Sequence, residues 1–289
     1  VHAPHRATNF RPGQFYRVQN FESTSKAKQM EPLALTGAWS CSKTGRLSLI
    51  ILEMGGSSDF CKELQIGEKI SLMGPTGTPT FIPKNKKVML VGGGLGNAVL
   101  FSIGKACEEN GCEVLYFAGY KQLKNIFKRD AIMQSSTQVV WCCDEEEITP
   151  TRPQDLAFHG NIVEAIKWYQ KSDNTLISLQ EITNMIVIGS DQMMAAVSYQ
   201  IHNDMKAIFP KLESAIASIN SPMQCMMKEI CGQCIQRHID QKTKKSYYIY
   251  SCFNQDQPME RVDFAHLNRR LQQNEVLEKV CKNWLDQAN

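Results

Sequence analysis

The hydrophobic and polar positions divide the chain into three stretches. In residues 1–84 the apolar runs are short, at 14–21, 47–52 and 69–73, and Pro12-Gly13, Gly45, Gly55-Gly56 and Gly74-Pro75 break them. Short β-type runs with closely spaced turn signals predict a small antiparallel barrel. From Lys87 the period changes. An apolar strand at 88–91 precedes a glycine cluster and an amphipathic helix over 97–110, with Gly111 placed to stop it. Strands at 113–118, 138–142 and 185–188 then alternate with helices at 123–133, 161–170 and 192–207. Such alternation predicts a parallel sheet with helices on its faces, so residues 85–212 read as an α/β domain. Residues 149–159 and 172–175 read as loops. The third stretch, 213–289, is irregular and rich in cysteine, and ends in a helix or pair of helices over 264–287.

Composition narrows the choices. At 289 residues, 43% hydrophobic and 21% charged, the chain has the make-up of a globular protein with room for two domains and an appendage. A net charge of +3 gives no case for nucleic acid or an acidic membrane surface. No apolar run approaches the roughly 20 residues that span a bilayer. The opening Val1-His2-Ala3-Pro4 reads as a piece of a longer or processed polypeptide, so a partner is expected outside this sequence. Cys41, Cys61, Cys107, Cys112, Cys142, Cys143 and Cys281 sit in apolar or helical surroundings. They read as small core residues of a reducing, cytoplasmic compartment. The acidic run Asp144–Glu147 reads as a solvated loop.

Candidate chemistry begins with Val91-Gly92-Gly93-Gly94-Leu95-Gly96-Asn97, directly after a strand and before a helix. That position lies at the carboxyl edge of a parallel sheet, where helix amides face an incoming phosphate and glycine allows close approach. The spacing departs from the strict dinucleotide fingerprint. Ile188-Gly189-Ser190-Asp191-Gln192-Met193 repeats the theme on a later strand, so both loops can border one nucleotide crevice. Lys121 and Lys124 follow the second strand, where a 2′-phosphate could sit, and leave NADH or NADPH open.

The most specific feature is Cys225-Met-Met-Lys-Glu-Ile-Cys231-Gly-Gln-Cys234, with Cys252 further on. Three thiolates on one tight loop and a fourth from a later strand can enclose a [2Fe–2S] cluster. The plant-type spacing is C-x4-C-x2-C, and here the first interval is one residue longer. Structural zinc is the rival, although it more often shows two separated C-x2-C pairs. His238 reads as a surface residue, because four cysteines already complete a site.

Phe10-Arg-Pro-Gly-Gln-Phe15, Gly74-Pro-Thr-Gly77, Val91-Gly-Gly-Gly94, Gly189-Ser-Asp-Gln-Met193 and the cysteine loop, in this order, resemble the ferredoxin–NADP reductase superfamily. Within it they are similar to the electron-transfer subunits of class 1B dihydroorotate dehydrogenases and of sulfide dehydrogenases and bifurcating enzymes. The resemblance implies a flavin-binding barrel, a nicotinamide-binding α/β domain and a small [2Fe–2S] module. FAD, NAD(P)H and the cluster then work in series toward a partner or fused catalytic domain. It places FAD on Pro32, Leu33, Ala34, Leu35 and Thr36 and on Gly55, Gly56, Ser57 and Ser58. The nicotinamide nucleotide falls to Gly92, Gly93, Gly94, Gly96, Asn97, Gly189, Ser190, Asp191 and Met193. The family's flavin motif carries an arginine and a serine where this chain has Glu31 and Ala34, and Arg17 on the neighbouring strand is expected to restore the positive charge. The family's Cys-Gly-Pro is Ile188-Gly189-Ser190 here, so no thiol stands beside the hydride path, and no acid–base residue is nominated. A non-catalytic docking module with a degenerate flavin site and structural zinc is the alternative, and a self-contained reductase is a third reading.

Overall fold

The computed structural model describes residues 1–20, 33–51, 56–219, 225 and 228–287. After a short helix α1 (Pro4–Thr8), four strands form an antiparallel sheet: β1 (Phe15–Asn20), β2 (Leu33–Cys41), β3 (Arg46–Leu49) and β4 (Ile70–Thr76). Their order is β3-β2-β1-β4, and among the described residues this sheet is open rather than closed into a barrel. Phe15, Tyr16 and Val18 of β1 are buried, which anchors the strand between β2 and β4.

The second unit comprises β5 (Lys87–Gly93), α2 (Asn97–Glu109), β6 (Glu113–Tyr120), α3 (Arg129–Gln134), β7 (Gln138–Cys143), β8 (Leu156–His159), α4 (Ile162–Tyr169), β9 (Asn184–Ile188), α5 (Asp191–His202) and β10 (Ser214–Ser218). The cysteine-bearing stretch adds β11 (Ile235–Ile239), β12 (Ser246–Tyr250), β13 (Asp256–Pro258) and the long helix α6 (Phe264–Gln287). One seven-stranded sheet runs β13-β10-β9-β5-β6-β7-β8. Its pairs are parallel except β13 against β10. The sheet therefore extends past residue 212 and draws one strand from beyond the cysteines.

One local reading of the sequence is corrected here. Residues 156–159, read as loop, form edge strand β8. The loop before it is held by Arg152, bidentate on the buried Asp155, whose Oδ1 also accepts from Val139 N at 2.9 Å. The acidic run is the exposed loop expected, and from the surface Glu146 accepts from Leu123 N at 2.7 Å while Glu145 lies 3.7 Å from Lys121 Nζ, which braces the turn after β6. The stop at Gly111 holds. It takes φ +75° just past α2, a conformation that glycine adopts without strain.

Each face of the large sheet has its own apolar core. On one side Val91, Phe117, Val140 and Val187 pack against α4 and α5, with Met259, Val262 and Leu267 added from the tail. On the other, Leu90, Tyr116, Trp141 and Ile186 meet Leu100 and Ile103 of α2 and Ile132 of α3. Ala38 of β2 belongs to that second core, so α2 also holds the antiparallel sheet in place.

Candidate functional site

The glycine loop after β5 separates into packing glycines and one open position. A Cβ on Gly92 would run into Asn97, one on Gly93 would stand 2.5 Å from Met193 Sδ, and one on Gly96 would strike the Ile188 carbonyl. Gly93 and Gly189 face each other directly, since a Cβ on Gly93 would lie 3.6 Å from the Gly189 Cα. These residues let the ends of β5 and β9 touch. Gly94 differs: it has φ +53° and nothing within 4 Å of its missing Cβ, so its backbone is the part that a phosphate can approach.

Asn97 does not face the crevice. It is fully buried, donates to the Gly94 carbonyl at 2.9 Å and accepts from the Tyr116 hydroxyl at 3.1 Å. It shapes the loop from beneath. Ser190 caps α5, its Oγ accepting from Met193 N at 3.2 Å, and Met193 covers the Gly93–Gly189 junction. Asp191 accepts from Asn268 Nδ2 of α6 at 2.6 Å. No sequence signal tied the tail helix to this loop, because the pairing spans 77 residues.

On the antiparallel sheet, Arg17 pairs in register with Ala34 on one side and Met73 on the other. Its Nε is buried and has no acceptor, and the Thr36 hydroxyl on the same sheet is likewise buried without a partner. A buried guanidinium nitrogen and a buried hydroxyl on one sheet, each without a hydrogen-bond partner, suit an acceptor-rich group. Leu33 and Leu35 flank Ala34 on β2. Gly56, Ser57 and Ser58 open the 3₁₀ turn Gly56–Glu63. Glu31, Pro32 and Gly55 lie outside the described residues.

Three interactions link the four cysteines: Cys225 with Cys231, Cys252 with Cys234, and Cys252 with Cys225 through charge. The Cys225 thiol is pulled down to about 6, because backbone N–H groups of Cys231 and Ile230 donate to its sulfur, and the Cys231 thiol adds to this. Cys252 is pushed up to about 12 by burial and by its contact with Cys234. The β11–β12 hairpin explains the second pair: Ile235 lies opposite Tyr250, and Ser251 N and Oγ both donate to the Cys234 carbonyl, at 3.1 and 3.0 Å. The fourth cysteine thus follows a strand paired to the loop. Among the described residues no three of His, Cys, Asp or Glu close around a single-ion centre. Cys234 and Cys252 are buried against Phe15 and Ala34, and the Phe253 carbonyl accepts from Thr78 N at 2.8 Å, so the module docks on the antiparallel sheet.

His238 is corrected. It is 2% exposed, and burial together with Arg261 pulls it down to about 4. It stands at the base of the hairpin, its ring edge-on to Tyr247. Gln236 and His238 are the inward residues of β11, and because both are polar the sequence carried no signal of it.

Comparisons with known proteins bear on the fold. No protein-family profile matches the chain. A solved structure of an NADH-dependent reduced ferredoxin–NADP oxidoreductase, described in terms of flavin-based electron bifurcation, superimposes with a TM-score of 0.77 at 22% identity, covering 99% of this chain and 91% of that one. The chain thus shares the fold of that reductase. In sequence it resembles the electron transfer subunit of dihydroorotate dehydrogenase B (NAD(+)) from Listeria monocytogenes. The two are 25% identical over 261 residues, 89% of this chain and 87% of the relative. An uncharacterized protein of Rickettsia prowazekii is 35% identical over 281 residues, 97% of this chain, yet the chain spans only 30% of that protein's length. No helix among the described residues is long and apolar enough to cross a membrane.

Proposed function

We propose that this chain is an NAD(P)H-dependent flavoprotein oxidoreductase unit that moves electrons between a nicotinamide nucleotide, FAD and a [2Fe–2S] cluster. Its partner is a catalytic oxidoreductase subunit or fused domain. The observation that carries the reading is the burial of the Cys234–Cys252 pair against Phe15 and Ala34, the strands on which the flavin would lie. Cys225, Cys231, Cys234 and Cys252 would hold the cluster. Arg17 would oppose the flavin's phosphate charge where Glu31 and Ala34 replace the usual arginine and serine, with Leu33, Leu35, Thr36 and residues 55–58 around it. Gly94 offers open backbone to the nicotinamide nucleotide, with Met193 and Ser190 across the crevice. When bound, the flavin handles electrons as a hydride pair or singly, and the cluster handles them one at a time. The chain's contribution is to place and enclose these groups.

Structural zinc is the competing occupant of the thiols. Zinc would take all four sulfurs around one centre, a cluster would share them between two irons, and metal analysis separates the two. Anaerobically purified protein is expected to show flavin absorption, two irons per chain by analysis and a rhombic electron paramagnetic resonance signal after dithionite. A colourless protein with stoichiometric zinc would refute the reading.

A further inference from the structure

Two side chains two positions apart on α6 reach separate parts of the molecule. Asn268 holds Asp191 of the nucleotide loop, and Arg270 reaches the cysteine loop: its Nη2 donates to the Gly232 carbonyl at 2.8 Å. Gly232 stands between Cys231 and Cys234 with φ +69°, a conformation that glycine adopts without strain. Arg270 is half-buried, its Nη1 donates to Gln273 at 3.0 Å, and its Nε is buried with no acceptor. Among the described residues no carboxylate pairs with it. The neighbouring Arg237, by contrast, is ion-paired to Asp263. A cation left partly desolvated and unpaired at this loop has its cost offset only if negative charge sits beside it.

We propose that Arg270 is a positioning residue that sets the reduction potential of the cluster held by Cys225, Cys231, Cys234 and Cys252; this rests on the cluster reading above. Two ferric ions, two sulfides and four thiolates sum to a dianion. Reduction adds one electron and one further negative charge, with no proton taken up and no bond broken. The electron comes from dithionite in the test and from reduced flavin in the proposed function. A fixed guanidinium favours the more negative, reduced form, and charge and hydrogen bonding near the sulfurs are the usual determinants of such potentials. Its bond to Gly232 also fixes the peptide plane. In a planar trans peptide the Gln233 N–H points away from the Gly232 carbonyl, so orienting one orients the other.

The test is a redox titration of the anaerobic holoprotein followed by electron paramagnetic resonance, with iron counted in every sample. At the wild-type midpoint, Arg270→Gln is expected to hold a several-fold smaller reduced-to-oxidised ratio. A tenfold change would correspond to about 59 mV for one electron. Arg270→Lys keeps the charge and is expected to stay near wild type. If Arg270→Gln carries full iron and titrates with the wild type, the proposal is overturned. If that variant loses iron, Arg270→Lys decides: a wild-type potential supports the charge role and a lowered one overturns it. Wild-type protein without iron overturns the cluster reading itself, a result distinct from an unmoved potential.

Discussion

At the scale of single residues, the glycine loop is a packing device before it is a binding device. A Cβ on Gly93 meets the flexible end of Met193, whereas one on Gly96 meets the backbone of Ile188. The two substitutions should therefore differ in kind. Gly93→Ala is expected to cost on the order of 1–2 kcal/mol, largely recovered in the double variant with Met193→Ala. Gly96→Ala is expected to cost more, roughly 3 kcal/mol, with no such rescue. Urea denaturation of wild type, Met193→Ala, the two glycine variants and the two double variants would decide it, and equal rescue of both glycine variants would contradict the assignment. Arg17 makes a second case. If its orphaned Nε opposes phosphate, Arg17→Ala should lower FAD affinity at least tenfold, about 1.4 kcal/mol. Unchanged flavin retention through gel filtration and reconstitution would remove Arg17 from the site. These positions were legible as glycine-rich turns, but which glycine is open was not, since that depends on Met193 and Ile188 arriving from another strand.

At the scale of elements, the β11–β12 hairpin makes the cysteine loop a site. Its register brings Cys252 near Cys234, and His238 fills its base. The cysteine spacing was readable, and so was the need for a later strand. The burial of His238 was hidden because a five-residue strand among polar neighbours gives little pattern. The consequence is pH-dependent. An unfolded histidine titrates near 6.5 and the native one is lowered to about 4, so the unfolded state binds more protons between these values. Stability supplied by the neutral ring is present above about pH 6.5 and is lost as pH falls toward 4. Near-UV circular dichroism of the tyrosines should show the hairpin loosening over that window. His238→Gln should flatten the pH dependence. A variant that loosens as steeply as wild type would show that another group controls the transition.

At the scale of the whole molecule, the strand–helix alternation foretold the parallel sheet. It could not foretell that β13, from beyond the cysteines, would join its edge, nor that α6 would return to the nucleotide loop. Those contacts join residues scores of positions apart, and local periodicity carries no trace of them. They create a seam where the units meet. There Asp256 of β13 lies opposite Ser218 of β10 and near Thr80, on the segment that joins the two sheets. Burial raises its carboxyl above the usual 3.8, the two hydroxyls only partly offset this, and its Oδ1 has no partner. A carboxyl raised in the native state binds more protons there than in the unfolded chain. Its contribution to stability is therefore greatest at low pH and declines as pH climbs through the raised native value, leaving a charge in a poorly solvated seam at neutral pH. Asn in its place keeps the shape and the hydrogen bonding without the charge. Asp256→Asn should thus melt about 2 °C above wild type at pH 7.5, on the order of 1 kcal/mol for a chain of this size, with the gap closing toward pH 4. Paired calorimetric scans across that range would test it, and a variant less stable than wild type at pH 7.5 would mean that the ionised carboxylate holds the seam together.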